Sequence, residues 1–315
     1  MKIKIIHSIL FCIIWFFNCN VCASEKLIVL LDWLPNAGHA PLFVAFDQGF
    51  FADVGLDVAL LGPANPADPP KLVAANKADI AITYEPQFME QIDRGLPLIR
   101  IGTLVDRPLD CLVVLKKSGI NSIEDLKGKS IGVSTGSINN VSLKTMLEKH
   151  HLTLQDVKQI NVNYNLTQSL LSQKVDAVTG MMRTFEVIQL DLMQEPNRQF
   201  FPEENGVPTY SELIFVVKKD HVQDIRFKKF LIALKKGREY LQNHPEETWK
   251  IFAKNHPELN DELNHRAWLA TLPYFSKNPA GFDEKKWLTF ANFLFRNGII
   301  REVQPMERYA VDLNP

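Results

Sequence analysis

The sequence predicts an α/β protein made of two similar domains. Three observations carry this. Strand-like and helical segments alternate through the first two-thirds of the chain, the rhythm of a largely parallel sheet covered on both faces. One unit of that alternation occurs twice: Leu72-Val-Ala-Ala-Asn-Lys77-Ala-Asp79-Ile-Ala-Ile-Thr83 and Leu170-Leu-Ser-Gln-Lys174-Val-Asp176-Ala-Val-Thr179. Each reads as helix, Lys-x-Asp, strand, polar loop, new helix, which suggests two domains built alike. The 315 residues are also enough for two domains.

The first unit sets the pattern. Leu27 to Leu31 is a continuous apolar run that suits a strand buried on both faces. It stops at Asp32-Trp33, a Pro-Asn-Ala-Gly turn follows, and Pro41 opens a helix that ends at Gly49. Leu56 to Leu61 alternates as a strand, Pro70 starts a short helix, and Asp79 to Thr83 is a strand. Pro86 to Arg94 is the next helix, and Leu98 to Leu104 the next strand. The pattern restarts at Asp110 with strands near Leu112, Lys129, Ile160 and Asp176. Between them lie a capped turn at Ser122, with Asp125 three residues on, and helices from Thr135, Thr167 and Thr184. A strand follows Ser211, and the rest is helical: Asp224–Asn243, Glu246–Asn255, Asp261–Leu272 and Asp283–Asn297. Trp249, Phe252, Trp268, Tyr274, Trp287, Phe290, Phe293 and Phe295 recur there at helical spacing and are expected to pack as core against the first sheet.

Residues 1–23 read as a cleavable signal peptide: Lys2 and Lys4, an apolar stretch from Ile5 to Phe17, and Val21-Cys22-Ala23 before the cut. Cys19 and Cys22 lack the small residues that a lipid-attachment site wants. The expected location is therefore the periplasm, as a free protein. Export would leave Cys111 alone of four cysteines, unable to form an internal disulfide and placed like a strand residue. Without Lys2 and Lys4 the chain holds 33 basic and 36 acidic residues, and no basic cluster suggests a nucleic acid partner.

Enzyme motifs are missing. There is no G-x-S-x-G, Walker loop, H-E-x-x-H or His/Cys cluster at metal spacing, so neither cofactor nor catalytic residue is expected. Adjacent His150 and His151 would point about 100° apart on a helix and cannot chelate together. Binding groups instead gather at the carboxyl ends of strands, where open α/β sheets take ligands. Four loops qualify: Asp32-Trp33 through His39, Thr83 through Gln87, Ser134 through Asn139, and Thr179 through Met182. Trp33 and Tyr84 can sandwich a flat ring, while Asp32, Glu85 and Glu212 receive amino groups from its edge. Gly136, Ser137 and Asn139 open a helix, a place for an anion or a carbonyl oxygen, though a plain helix cap has the same pattern. Asn36 and Thr179 lie in these loops. His39 reads equally as a ligand contact or as a cap.

Several stretches together resemble the ThiY-type substrate-binding proteins: Leu31-Asp-Trp-x-Pro-Asn-Ala-x-His-x-Pro, Gly49-Phe-Phe-x-x-x-Gly-Leu-Asp-Val, Pro69-x-Lys-Leu-Val-Ala-Ala-x-Lys-x-Asp, Tyr84-Glu-Pro-Gln and Gly206-Val-Pro-x-Tyr210-x-Glu-Leu. The likeness runs from about residue 27 to the end. It implies a fold like the type II periplasmic binding proteins, with two α/β domains around a ligand cleft joined by two hinge crossings, near Asp106–Cys111 and Glu212–Val216. The domains would be 24–108 with 217–315, and 109–216. It also implies a monomer that carries an aminopyrimidine thiamine precursor, of formylaminopyrimidine or hydroxymethylpyrimidine type, to the permease of an ABC importer. The same superfamily holds the pyrimidine synthases of yeast thiamine biosynthesis. Their pyridoxal-phosphate lysine and reactive histidine correspond here to Thr83 and Gln87, and Thr83 has no amine for a Schiff base. A flavin precursor or a sulfonate in the same fold is the third reading. Sulfonate would favour basic cleft residues, and none of the four loops has one before Arg183.

Overall fold

A computed structural model describes residues 24–134 and 141–313. The expected signal segment and the loop residues Gly136, Ser137 and Asn139 lie outside the described residues. The first lobe opens with β1 (Glu25–Leu30), whose residues Leu27, Val29 and Leu30 are buried. β1 is central, pairing in parallel with β2 (Leu56–Leu61) and with β3 (Ile80–Thr83), which is why its apolar run is unbroken. Between these strands lie α1 (Ala40–Asp47), α2 (Phe50–Asp53) and α3 (Pro69–Ala74). α4 (Glu85–Asp93) leads to β4 (Leu98–Val105). Gly49 joins α1 to α2 at φ +74°, a left-handed turn that glycine adopts freely.

The second lobe contains β5 (Asp110–Leu115), β6 (Ser130–Val133), α5 (Val141–Lys149), β7 (Lys158–Asn161), α6 (Leu166–Leu171), β8 (Ala177–Met182), α7 (Glu186–Leu192) and β9 (Asn197–Phe200). The chain then returns as β10 (Leu213–Lys218) and closes with α8 (Ile225–Asn243), α9 (Pro245–Asn255), α10 (Glu262–Thr271), α11 (Glu284–Arg296) and α12 (Met306–Tyr309).

The two five-stranded sheets have the orders β2-β1-β3-β10-β4 and β7-β6-β8-β5-β9. They correspond strand for strand, and the repeated sequence unit falls on equivalent places. In the first lobe Asp79 donates its N–H to Ile28 O, and its carboxylate accepts Ile28 N–H at 2.8 Å. In the second, Asp176 does the same to Ser130, again at 2.8 Å. Asn76 and Gln173, three residues before each aspartate, both take positive φ. The Lys-x-Asp motif is thus a clamp that starts one strand beside its neighbour.

Three expectations change. The sheets are mixed, because β10 and β5, the strands that arrive from a crossing, pair antiparallel to both neighbours. The second crossing ends before Leu213, since residues 213–218 are a strand of the first sheet; the expected boundary at residue 216 cuts that strand. The aromatic series also divides. Trp249, Phe252 and Trp268 pack with the first-lobe core, Trp287 and Phe290 join a cluster that includes Leu98 and Leu112 from different sheets, and Phe295 is exposed.

α8 lies directly on α1. A Cβ added to Gly237 would stand 2.6 Å from Pro41 O and 2.7 Å from Ala45 Cβ, so glycine sets how closely these helices approach.

Candidate functional site

The crossings comprise residues 106–109 and 201–212, and a cavity enclosing about 100 Å³ opens between the lobes beside them. The loop after β1 supplies Trp33 and Asn36 to its wall, Tyr84 follows β3, and Gln87 comes from the first turn of α4. Tyr210 and Glu212 come from the second crossing. Trp33, Asn36, Tyr84, Tyr210 and Glu212 are therefore brought together around one cavity.

Other expected residues stand behind the wall. Asp32 is buried and holds two groups: His39 Nε2 at 3.0 Å and the Tyr84 hydroxyl, which donates at 2.7 Å. His39 is fully buried. Its Nδ1 accepts Asn36 N–H at 3.3 Å, which leaves Nε2 to donate to Asp32. Asn36 Oδ1 in turn accepts Gly38 N–H at 2.7 Å. The Asn-Ala-Gly-His sequence thus forms a reciprocal cap. His39 is the partner of the Asn36 cap, and Asp32 holds Tyr84 from behind; neither Asp32 nor His39 lines the cavity. Glu85 is also internal, accepting Ser211 N–H at 2.6 Å. Burial raises its pKa to about 7, against the opposing Lys286 cation. Thr179 is buried in the middle of β8, because residues 179–182 continue the strand instead of forming a loop.

Sequence reasoning missed the acidic character of this cavity. Glu90, Asp110 and Glu186 line it with Glu212, and no lysine or arginine does so among the described residues. Glu186 sits at the start of α7 and accepts Met182 N–H at 2.8 Å; burial raises its pKa to about 7. Glu212 accepts Leu109 N–H at 2.5 Å and Asp110 N–H at 3.0 Å, tying one crossing to the other. Burial pushes Glu212 and Asp110 above the usual carboxylate range, and Asp110 raises Glu212 further. The Tyr210 hydroxyl donates to Asp110. Phe185 and Met182 complete an apolar side. An Asp or Glu at a strand end or first helical turn was the available signal, but Glu186 and Glu90 read as helix surface until the other lobe is placed opposite each.

Trp33 also reaches across. It meets the Tyr164 ring edge-on at 4.6 Å, and the Tyr164 hydroxyl donates to Pro63 O at 2.6 Å. First-lobe residues 33 and 63 thus contact second-lobe residue 164, beside the cavity that Trp33 lines. Cys111 is a fully buried β5 residue that donates to Met181 O, with no opening to the cavity.

Acidic and aromatic side chains thus face one cavity between the lobes, and solved structures share the fold. The periplasmic aliphatic sulphonate-binding protein SsuA of Escherichia coli superposes with a TM-score of 0.68, covering 91% of this chain and 92% of its own, at 13% identity. This is the periplasmic binding protein fold. The chain belongs to the NMT1/THI5-like family, whose pattern matches residues 36–248. A Haemophilus influenzae protein named for thiamine biosynthesis is 44% identical over 92% of this chain and 93% of its own. The formylaminopyrimidine-binding protein of Halalkalibacterium halodurans is 31% identical over 84% and 82%. A 4-amino-5-hydroxymethyl-2-methylpyrimidine phosphate synthase of Saccharomyces cerevisiae is 24% identical over 81% and 78%.

Proposed function

We propose that the protein binds an aminopyrimidine precursor of thiamine in the interlobe cleft and hands it to the permease of an ABC importer, from the periplasm and as a monomer. The observation that carries this reading is the cleft's lining: aromatic faces, four carboxyl groups and no basic residue among the described ones. An aminopyrimidine edge presents an amino donor beside a ring nitrogen. A protonated carboxyl matches it by accepting the first and donating to the second, and a carboxylate matches the protonated ring. Glu186 and Glu212, with pKa values raised by burial, suit that exchange. Trp33 and Tyr84 supply the stacking faces, and Asn36 and Tyr210 further polar contacts. A sulfonate or phosphate would meet four carboxyl groups there and no cation among the described residues. The name of the Halalkalibacterium relative supports the same cargo.

A synthase reading needs an amine for pyridoxal phosphate, and Thr83 stands at the matching place, buried with its hydroxyl unpaired among the described residues. The test is calorimetric titration with substituted aminopyrimidines, and with thiamine, a flavin and taurine as controls. Micromolar binding of one pyrimidine, recovered unchanged, is expected. Silence from every pyrimidine would discard this cargo and leave the fold intact.

A further inference from the structure

The geometry points to a second ligand site, for a small phosphate-bearing anion, in a groove on the back of the hinge. Alternate residues of the second crossing face opposite ways. Tyr210 and Glu212 line the acidic cleft, whereas Thr209 and Ser211 line a separate groove of about 850 Å³. Its charge is opposite to the cleft's. Arg107, Arg238, Lys277 and Lys286 stand against Asp106 and Asp283, and both acids are engaged. Asp106 lies 4.0 Å from Arg107, and Asp283 Oδ1 accepts Lys286 N–H at 3.0 Å to cap α11.

The donors of these cations are only partly used. Arg238 makes no ion pair among the described residues, and its Nε is buried with no hydrogen-bond partner, a cost that proteins avoid unless something else occupies the donor. Lys286 Nζ donates to Asp106 O and to Ser211 Oγ, and an ammonium has three N–H groups. Arg107 lies over the Tyr274 ring, 4.8 Å from its centre, and donates from one amino group to Pro273 O. Planar guanidinium forks with hydroxyls close by suit the several oxygens of a phosphate group. The site differs in charge and place from the pyrimidine cleft and does not depend on its cargo. Since Arg107 and Ser211 belong to the two crossings, an anion there touches the hinge itself.

Pyrophosphate is the probe. Calorimetry of the full chain without pyrimidine should show one saturable site, weakened by about tenfold or more in Arg238→Ala and in Arg107→Ala. Lys254→Ala, which removes an exposed cation from α9, should stay within about twofold. Arg107 is exposed, so its variant carries the test if Arg238→Ala fails to fold. Absence of saturable binding, or equal weakening by Lys254→Ala, would overturn the site and leave only diffuse attraction.

Discussion

Single side chains carry most of the recognition argument. Trp33 is half-buried and contributes a face to the cleft. Its replacement by alanine should weaken pyrimidine binding by about 1–3 kcal/mol, the range for base–aromatic stacking, while circular dichroism stays that of the native fold. Unchanged affinity would remove the stacking claim. Glu186 makes a pH prediction whose sign follows from its shift. Its folded pKa, about 7, lies above the ordinary 4.5, so the folded protein binds the extra proton. That stability is complete below about 4.5 and fades as pH rises through about 7. Glu186→Gln should flatten the decline over that interval by up to about 1.4 kcal/mol per pH unit, one proton's worth. Urea unfolding at a series of pH values measures it, and identical slopes would mean that Glu186 does not titrate there. At this scale the sequence was read well for residues whose neighbours are local. For His39 the sequence left a cap and a ligand contact equally open, and its bonds with Asn36, three residues away, make the cap. The place of Asp32 was not legible, because its partner Tyr84 lies 52 positions away, and only the parallel pairing of β1 with β3 brings them together.

Elements were legible wherever periodicity and punctuation agreed. β1, α1 and α8 fall close to their expected limits because Pro41, Gly49 and Asp224 mark their ends. The antiparallel entry of β5 and β10 was not, since an apolar run fixes burial but not direction. Likewise, Thr179–Met182 looked like a loop because Gly180 interrupts the apolar pattern, yet the strand continues with Gly180 at φ +83°. The α1–α8 contact gives a sharp test. Gly237→Val should force the helices apart and lower stability by about 1–3 kcal/mol, as overpacking does. A melting temperature equal to the parent's would show that the contact yields without cost. The Tyr164 contact beside the cavity is a second case. Tyr164→Phe removes the bond to Pro63 O, which at about 1 kcal/mol should raise the ligand off-rate about fivefold. Stopped-flow dissociation reads it, and an unchanged rate would mean that closure does not use this bond.

The whole molecule is two copies of one βα arrangement that exchange a strand. Each lobe completes its sheet with the strand that follows a crossing, so the hinge segments continue directly into core strands β5 and β10. Glu212 then ties the crossings together at Leu109 and Asp110. That design sets a wall built from both crossings behind the cleft, with Asp110 and Glu212 lining it. The repeated Lys-x-Asp unit made the duplication readable from sequence. The accumulation of acid in one cavity was not, because Glu90, Asp110, Glu186 and Glu212 come from separate stretches and overall charge is nearly balanced.

The most direct test of the account uses one pyrimidine with and without a phosphate ester, titrated under identical conditions. A cleft lined by acids and lacking basic residues should bind the unesterified aminopyrimidine at least about a hundredfold more tightly, since a like-charge encounter costs several kcal/mol. Equal or tighter binding of the phosphate ester in that cleft would contradict the electrostatic reading on which the proposed function rests.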